Sequence, residues 1–394
     1  MQNAQKRIIF LLSHPVQYYS PLFVEIANQP ELDLRVLYCS NENVNGHIDK
    51  GFGVEVKWDI PLLEGYNYKF MKNNSWKPSI FNGFWGLLNF RIFSELRNCR
   101  SSYLVINGWN YASYFLAVIA AKIFGLQLCL RGESPLNQEL LRPKIILLLR
   151  KIFFKYLFFK LFNYFFFIGI ENKKFYEFYG VPARKLVFTP YSVDNERFAK
   201  EFEKYKNIKN ELRREAGLPV NKVIILFSGK YIEKKRPMDL LKAYKELDNE
   251  ESVLVFLGDG ELRNKMNDFI RLNKLKNVFL IGFKNQTELG KYYSMAHIFV
   301  LPSGPGETWG LVVNEAMNFG LPIILSDMVG CSPNLLHQKI NGFGFNMGDI
   351  EEIKNKLKLL VINKYLRLEM GKNSKVIIEK YDYDVTIKNI LTIN

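Results

Sequence analysis

Short apolar runs alternate along this chain with longer stretches in which apolar residues recur at helical spacing. The runs at residues 8–12, 32–38, 103–106, 127–130 and 164–170 lie in the first half, and those at 223–227, 253–257, 278–282 and 298–301 in the second. Most of these runs of four to seven residues are apolar nearly throughout, residues 32–38 with Asp33 and Arg35 excepted, and predict strands covered on both faces, as in a parallel sheet. Helical stretches between them predict doubly wound α/β layers. Two such series in 394 residues exceed one ordinary core, so the pattern predicts two domains, 1–190 and 195–379, with the boundary near residues 190–200. Proline and polar residues gather around that boundary, as in a linker.

Each run ends in a loop that carries candidate chemistry. The run at 298–301 stops at Pro302, and the segment Leu301-Pro-Ser-Gly-Pro-Gly-Glu-Thr-Trp-Gly-Leu-Val-Val-Asn-Glu-Ala-Met317 places Glu307 in a Gly/Pro loop and Glu315 in a helix beginning near Trp309. Unpaired backbone N–H groups at a helix start, here Thr308, Trp309, Gly310 and Leu311, suit phosphate oxygens, and carboxylates accept hydrogen bonds from sugar hydroxyls. Upstream, the run at 223–227 exits through Ser228-Gly229 into the basic loop Lys230-Tyr-Ile-Glu-Lys-Lys235. Glycine admits a ligand close to the backbone, and cations beside a helix start neutralise a diphosphate. A solvated basic loop and a helix-stabilising acid are the plainer readings of these two segments.

The pattern of Pro-Ser, Glu307, seven intervening residues, Glu315-Ala-Met, and then Gly320-Leu-Pro322 resembles that of the retaining, family-four type of GT-B glycosyltransferases. The resemblance implies two Rossmann-like domains facing a cleft: an N-terminal acceptor-binding domain and a C-terminal nucleotide-sugar-binding domain, with the last helix, 380–394, returning to the first. It implies that Glu307 contacts hydroxyls of the donor sugar and Glu315 the ribose. The family's Gly-Arg-x-x-x-x-Lys pattern falls on Gly229, Lys230 and Lys235. Lys230 replaces the usual Arg, a point charge in place of a bidentate clamp. The loop around Lys284 would meet the nucleobase through its backbone, and the family often has Asp where His297 stands.

In the first half the family pattern is weaker. Many relatives carry a glycine-rich loop after the first strand, where this chain has Ser13-His14-Pro15, and a histidine facing the reacting sugar, where this chain has Arg131-Gly-Glu133-Ser134. His14, Arg131 and Glu133 are therefore the catalytic candidates beside Glu307. Two readings stay open for them: a structural loop histidine for His14, and a strand-end ion pair for Arg131 with Glu133. Asn107-Gly-Trp109 ends another strand on the same side.

Composition adds three constraints. Net charge is +15, and residues 101–200 alone carry 14 Lys and Arg against six Asp and Glu, a balance that draws an anionic partner. In residues 141–163, LRPKIILLLRKIFFKYLFFKLFN, cations interrupt every apolar stretch well short of the ~20 residues that cross a bilayer. Lys144, Lys151 and Lys155 share one stripe of a helical projection and apolar residues cover most of the rest, as in a helix lying on an anionic membrane surface; a buried connecting helix is the other reading. The four cysteines lack paired spacing and, with only four histidines, build no metal cluster, so no metal and no cofactor is expected. Asp382-Tyr-Asp384 is read as a helix N-cap by Asp384.

The residues and the resemblance together predict an enzyme that moves a hexosyl unit from a nucleoside diphosphate sugar to a saccharide acceptor, lipid-linked, without metal, in bacterial-type surface polysaccharide or glycan synthesis; the resemblance implies that the anomeric configuration is retained. The expected location is the cytoplasmic face of the cell membrane, as a peripheral protein. A nucleotide-sugar epimerase or phosphorylase of the same fold is the nearer alternative. A nucleic-acid-binding protein is the remote one, since no Walker loop, zinc spacing or RNA-binding aromatic motif accompanies the charge.

Overall fold

The computed structural model describes residues 5–42, 44, 46–49 and 54–394. The chain divides into two compact units. The first comprises Met1–His47, Ile60–Pro190 and Tyr383–Asn394, and the second Ile48–Asp59 and Tyr191–Asp382. Residues 48–59 and the last helix depart from the expected boundaries. Residues 48–59 group with the second unit, where Thr287 N donates to Asp59 Oδ2 (3.1 Å) at the start of helix Gln286–Met295. The crossings fall at Pro190/Tyr191 and Asp382/Tyr383. The last helix, Tyr383–Leu391, begins one residue before Asp384, so Asp384 is a first-turn acid facing the helix dipole and not the cap.

Along the chain the strands are β1 (Lys6–Leu12), β2 (Leu32–Tyr38), β3 (His47–Asp49), β4 (Val54–Val56), β5 (Tyr68–Phe70), β6 (Tyr103–Ile106), β7 (Gln127–Leu130), β8 (Tyr164–Phe167) and β9 (Leu186–Phe188). They continue with β10 (Val223–Ser228), β11 (Ser252–Leu257), β12 (Val278–Gly282), β13 (Ile298–Leu301), β14 (Ile323–Ser326) and β15 (Gly342–Phe345). Among the described residues, the first unit holds a seven-stranded parallel sheet in the order β5-β2-β1-β6-β7-β8-β9. Phe10 of β1 pairs with Val36 on one side and Val105 on the other, and Ile8, Ile9 and Leu11 are wholly buried. Continuous apolar runs become central strands because helices cover both faces. β8 stops at Phe167, shorter than the run at 164–170, because a helix already starts at Ile170.

The connection from β7 to β8 begins as helix Lys144–Lys151, widens to a π-helical turn over Ile152–Phe158 and closes with a 3-10 turn at Phe159–Leu161. Its inner residues Phe154, Phe158, Phe159 and Phe162 are buried, while its outer apolar residues stay exposed. The inner face of residues 141–163 is thus a buried connecting element, and the outer face stays uncovered in the first unit. No helix among the described residues is long and apolar enough to cross a membrane.

The second unit holds a six-stranded parallel sheet in the order β12-β11-β10-β13-β14-β15. Strands β5, β14 and β15 were not among the expected runs. β15 contains Gly342, where a Cβ would stand 1.9 Å from the Ile323 carbonyl oxygen. The close approach of β14 explains why this strand carries so little apolar signal.

Candidate functional site

In a doubly wound sheet, ligands gather at the carboxyl ends of the two strands between which the strand order reverses. In the second unit these strands are β10 and β13. β10 ends at Ser228 and delivers Gly229 and the loop to Lys235; β13 ends at Leu301 and delivers Ser303 and Glu307. The two loops are tied by Gly304 N, which donates to the Lys234 carbonyl (2.8 Å). Lys235 Nζ donates to Glu307 Oε2 in a short ion pair, and Ser303 Oγ donates to the same oxygen (3.0 Å). Lys234 Nζ reaches the Gly306 carbonyl (3.1 Å). Gly229, Lys235 and Glu307 therefore meet, with Lys230 on the same loop.

Backbone conformation explains the glycines here. Gly229 has φ +150° and Gly258 φ +140°, and a Cβ on Gly258 would stand 2.0 Å from the Gly229 carbonyl oxygen. The β11 exit loop therefore packs directly under the β10 exit loop, which fits the expected tight turn at Gly258-Asp-Gly260. Gly310, at φ +96°, precedes helix Leu311–Asn318 and lies 3.0 Å, at its would-be Cβ, from Leu301. Residues Leu311 and Val312 begin that helix, so their N–H groups have no intrahelical acceptor.

Glu307 is buried and Lys235 nearly so, while Lys234 stays exposed at the rim. Burial pushes the Glu307 carboxyl upward, but Lys235 and Lys234, with hydrogen bonds from Lys235 and Ser303, outweigh it and hold the acid below its ordinary value. Burial lowers the Lys234 ammonium, opposed by Glu307 and assisted by Lys235 and Lys230. The loop as a whole carries more positive charge than Glu307 neutralises, as a site for an anion requires. No group of three or more His, Cys, Asp or Glu suited to a metal ion occurs among the described residues.

Two expected donor-side residues are turned inward. Glu315 is fully buried and accepts a hydrogen bond from Tyr293 Oη (2.7 Å). Trp309 is also buried; its Nε1 donates to Asn314 Oδ1 (2.9 Å), and its ring packs near Tyr191 and Tyr381. Trp309 thus anchors the helix start and offers a ligand only its backbone. Thr308 and Leu311 are half-buried. Sequence reasoning missed Gly330, whose Cβ would stand 1.9 Å from the Thr308 carbonyl oxygen, and whose N–H donates to the Glu307 carbonyl (3.1 Å). It also missed Asn314 and Tyr293, whose partners are set by packing. His297, the departure from the family, is explained: Nδ1 accepts the Ile224 N–H (2.9 Å) between β13 and β10. Burial first, then Arg213, Arg367, Lys209 and Lys364, lower its pKa to about 3, so the ring stays neutral.

The first unit repeats the arrangement at its own reversal, between β1 and β6. His14 follows β1, with Nδ1 2.9 Å from Ser13 Oγ. Asn107 follows β6, and its side-chain oxygen is buried without a hydrogen-bond partner. Arg131 follows β7 and is buried: Nε donates to Tyr19 Oη (3.1 Å), and Nη1 to the Thr189 carbonyl (2.9 Å) and hydroxyl (2.6 Å). That makes Arg131 a tie between strand ends. Glu133 is half-buried on a turn held by Tyr176, whose Oη accepts from Gly132 N (2.7 Å). Trp109 is partly buried and stacks on Phe175 against the core of the first unit. The four cysteines are buried and unbridged.

Comparison with known proteins places these observations. Residues 208–376 match the family model for glycosyl transferases group 1. Over 201 residues the chain is 31% identical to the Escherichia coli UDP-Gal:alpha-D-GlcNAc-diphosphoundecaprenol alpha-1,3-galactosyltransferase, covering 50% of each chain. Over 194 residues it is 31% identical to the sulfoquinovosyl transferase SQD2 of Arabidopsis thaliana, covering 48% of this chain and 36% of that one. The chain therefore spans half or less of the length of these curated relatives. Anabaena Alr3699/HepE, solved in complex with UDP and glucose, superposes with a TM-score of 0.71 at 14% identity over 98% of both chains. With its fold shared across nearly the whole chain, this protein has the GT-B architecture, and residues 208–376 of its second unit are similar to the glycosyl transferases group 1.

Proposed function

We propose that this protein transfers a hexosyl unit from a nucleoside diphosphate sugar to a saccharide acceptor, with retention and without a metal ion. The observation that carries this reading is the Lys235–Glu307–Ser303 cluster at the β10/β13 reversal, inside the segment that matches the family. The diphosphate lies against Lys230, Lys235 and the amides of Thr308 to Leu311. Lys235 has three N–H donors, so it can hold Glu307 with one and phosphate oxygens with the others. Glu307, kept ionised by those lysines, accepts hydroxyls of the hexose. The bond from the anomeric carbon to the phosphate oxygen breaks with its electron pair leaving on the diphosphate. The acceptor hydroxyl bonds to the same face, and its proton passes to the departing phosphate oxygen. Lysines and amides meet the charge that develops on that oxygen, the task a metal ion performs elsewhere. His14 and Glu133 are the polar groups assigned to the acceptor in the first unit, with Arg131 holding their strand ends in place.

The names of the relatives support the substrate class. One acts on a diphosphoundecaprenol-linked sugar and one structural neighbour binds UDP and glucose. A lipid-linked saccharide acceptor, met by a peripheral protein at an anionic membrane face through residues 141–163, is the matching proposal here. The test is a thermal-shift screen across UDP-, GDP- and ADP-sugars, followed by transfer assays and NMR of the product anomer. One donor class should raise the melting temperature, Glu307→Gln should cut transfer by about a hundredfold, the scale of losing one preorganised polar contact to the transition state, and EDTA should leave the rate unchanged. A Glu307→Gln enzyme as fast as the parent would overturn the site; loss of activity in EDTA with recovery in manganese would overturn the metal-free step.

A further inference from the structure

The β7–β8 crossover borders a cavity that the transfer reaction does not use. About 180 Å3 in volume, it is lined by Lys155, Lys160, Arg184 and Lys185, with Tyr179 and Gly180 forming part of its wall. It lies at the amino ends of β8 and β9, the edge of the sheet opposite His14 and Arg131. No acidic residue lines it, and no carboxylate is in salt-bridge contact with any of the four cations among the described residues. Lys185 Nζ spends one donor on the Phe162 carbonyl (2.7 Å). Burial, then Arg184, Lys122 and Lys160, lower the Lys185 ammonium. The stem of Lys155 crosses Gly180, which has φ +83° and would bring a Cβ to 3.2 Å from the lysine Cε. Four like charges gathered without a counter-charge oppose folding, and a bound anion relieves them.

What kind of anion is decided by the neighbouring surface. Ile145, Leu148, Leu149, Ile152 and Tyr156 form one outward stripe at helical spacing, each 47% to 60% exposed, and Lys155 Nζ lies 5.4 Å from the centroid of the Tyr156 ring at its end. A soluble phosphate matches the cations but leaves this face in water; a phosphodiester bearing acyl chains satisfies both. We propose that the cavity binds the phosphodiester headgroup of an anionic membrane lipid while the apolar stripe enters the same leaflet. The proposal rests on the membrane reading of residues 141–163 and deepens it, since Arg184 and Lys185 lie outside that segment and the site is a defined pocket rather than a diffuse attraction.

The experiment is co-sedimentation of the full chain with vesicles of equal parts phosphatidylglycerol and phosphatidylcholine, against pure phosphatidylcholine. The triple variant Lys160→Gln, Arg184→Gln, Lys185→Gln should bind the anionic vesicles about a hundredfold more weakly, given roughly 1 kcal/mol per cation at such a surface. The double variant Lys160→Gln, Arg184→Gln, which keeps the Lys185 contact to Phe162, should show an intermediate loss at unchanged melting temperature. Replacing the exposed Arg91, Arg97 and Arg100 with Gln removes the same charge elsewhere in the unit and should cost less than about threefold. Equal losses in both triple variants would overturn the pocket while leaving the membrane reading standing. Failure of the parent chain to bind anionic vesicles would overturn both, and the donor-sugar thermal shift reads the transferase proposal independently. If millimolar inorganic phosphate releases the protein from vesicles and stabilises the parent but not the triple variant, free phosphate is the occupant and the lipid assignment falls.

Discussion

At the scale of single residues, the same side-chain type takes opposite roles according to what surrounds it. Glu307 stays charged because Lys235 and Lys234 outweigh its burial, whereas Glu315, eight residues on, is fully buried and accepts a hydrogen bond from Tyr293. His297 is the clearest case with a consequence in pH. Its pKa is about 3 in the folded chain against an ordinary 6.5, so above 6.5 it is neutral in both states and adds no pH dependence. Below 6.5 the unfolded chain takes up a proton that the folded chain refuses, and stability falls as pH drops toward 3, by up to about 1.4 kcal/mol per pH unit. Urea melts at pH 7 and pH 5 should show this loss, and His297→Asn, which keeps an acceptor for the Ile224 N–H, should reduce it. Equal losses in both proteins would show that His297 does not govern that range. The motif residues were legible one by one, because a Gly, Lys or Glu at a strand exit announces itself locally. The inward turn of Trp309 and Glu315 was not, because Asn314, Tyr293, Tyr191 and Tyr381 set it from other elements.

At the scale of elements, the phosphate-side loop is shaped from beneath by a neighbouring strand exit. Gly229 N donates to the Leu257 carbonyl and Tyr231 N to the Asp259 carbonyl, so the β11 exit is a template for the loop that carries Lys230 and Lys235. A methyl on Gly258 meets the Gly229 carbonyl at 2.0 Å, and backbone cannot yield as a flexible side chain can. Gly258→Ala should therefore cost about 1–3 kcal/mol of stability, the usual range for overpacking, and weaken donor binding at least tenfold by moving the loop. Calorimetric melting with and without the donor sugar separates the two effects; unchanged donor affinity would mean that the loop keeps its shape without this support. Element by element, the long apolar runs predicted their strands well. Runs of three or four residues, such as β5, β14 and β15, escaped notice, since so few positions cannot separate a strand from a loop and glycine in β15 dilutes the pattern further.

At the scale of the molecule, the chain leaves the first unit at Pro190 and returns to it at Tyr383. The returning helix buries Ile387, Ile390 and Ile393, while Lys6 Nζ donates to the Leu391 carbonyl (2.7 Å) and Asn389 Nδ2 to the Phe188 carbonyl (2.8 Å). Three buried isoleucines at roughly 2 kcal/mol each are a large share of a domain's stability. Deleting residues 383–394 should lower the melting temperature of the first unit by ten degrees or more, on the order expected for such a loss, with increased hydrogen exchange in β1 and β9. A truncated chain that melts with the parent would show that the helix is not part of that core. Taken alone, the sequence determined the α/β class, the two series of strands, and the strand-exit loops that form the candidate site, because period, run length and turn residues are properties of neighbouring positions. Tertiary structure alone decided which strands stand side by side at each reversal of order and that Lys235 closes on Glu307 across 72 positions. It also decided that four cations from two separate segments line one cavity. Those outcomes depend on how faces pack, and packing joins residues whose separation along the chain leaves no local trace.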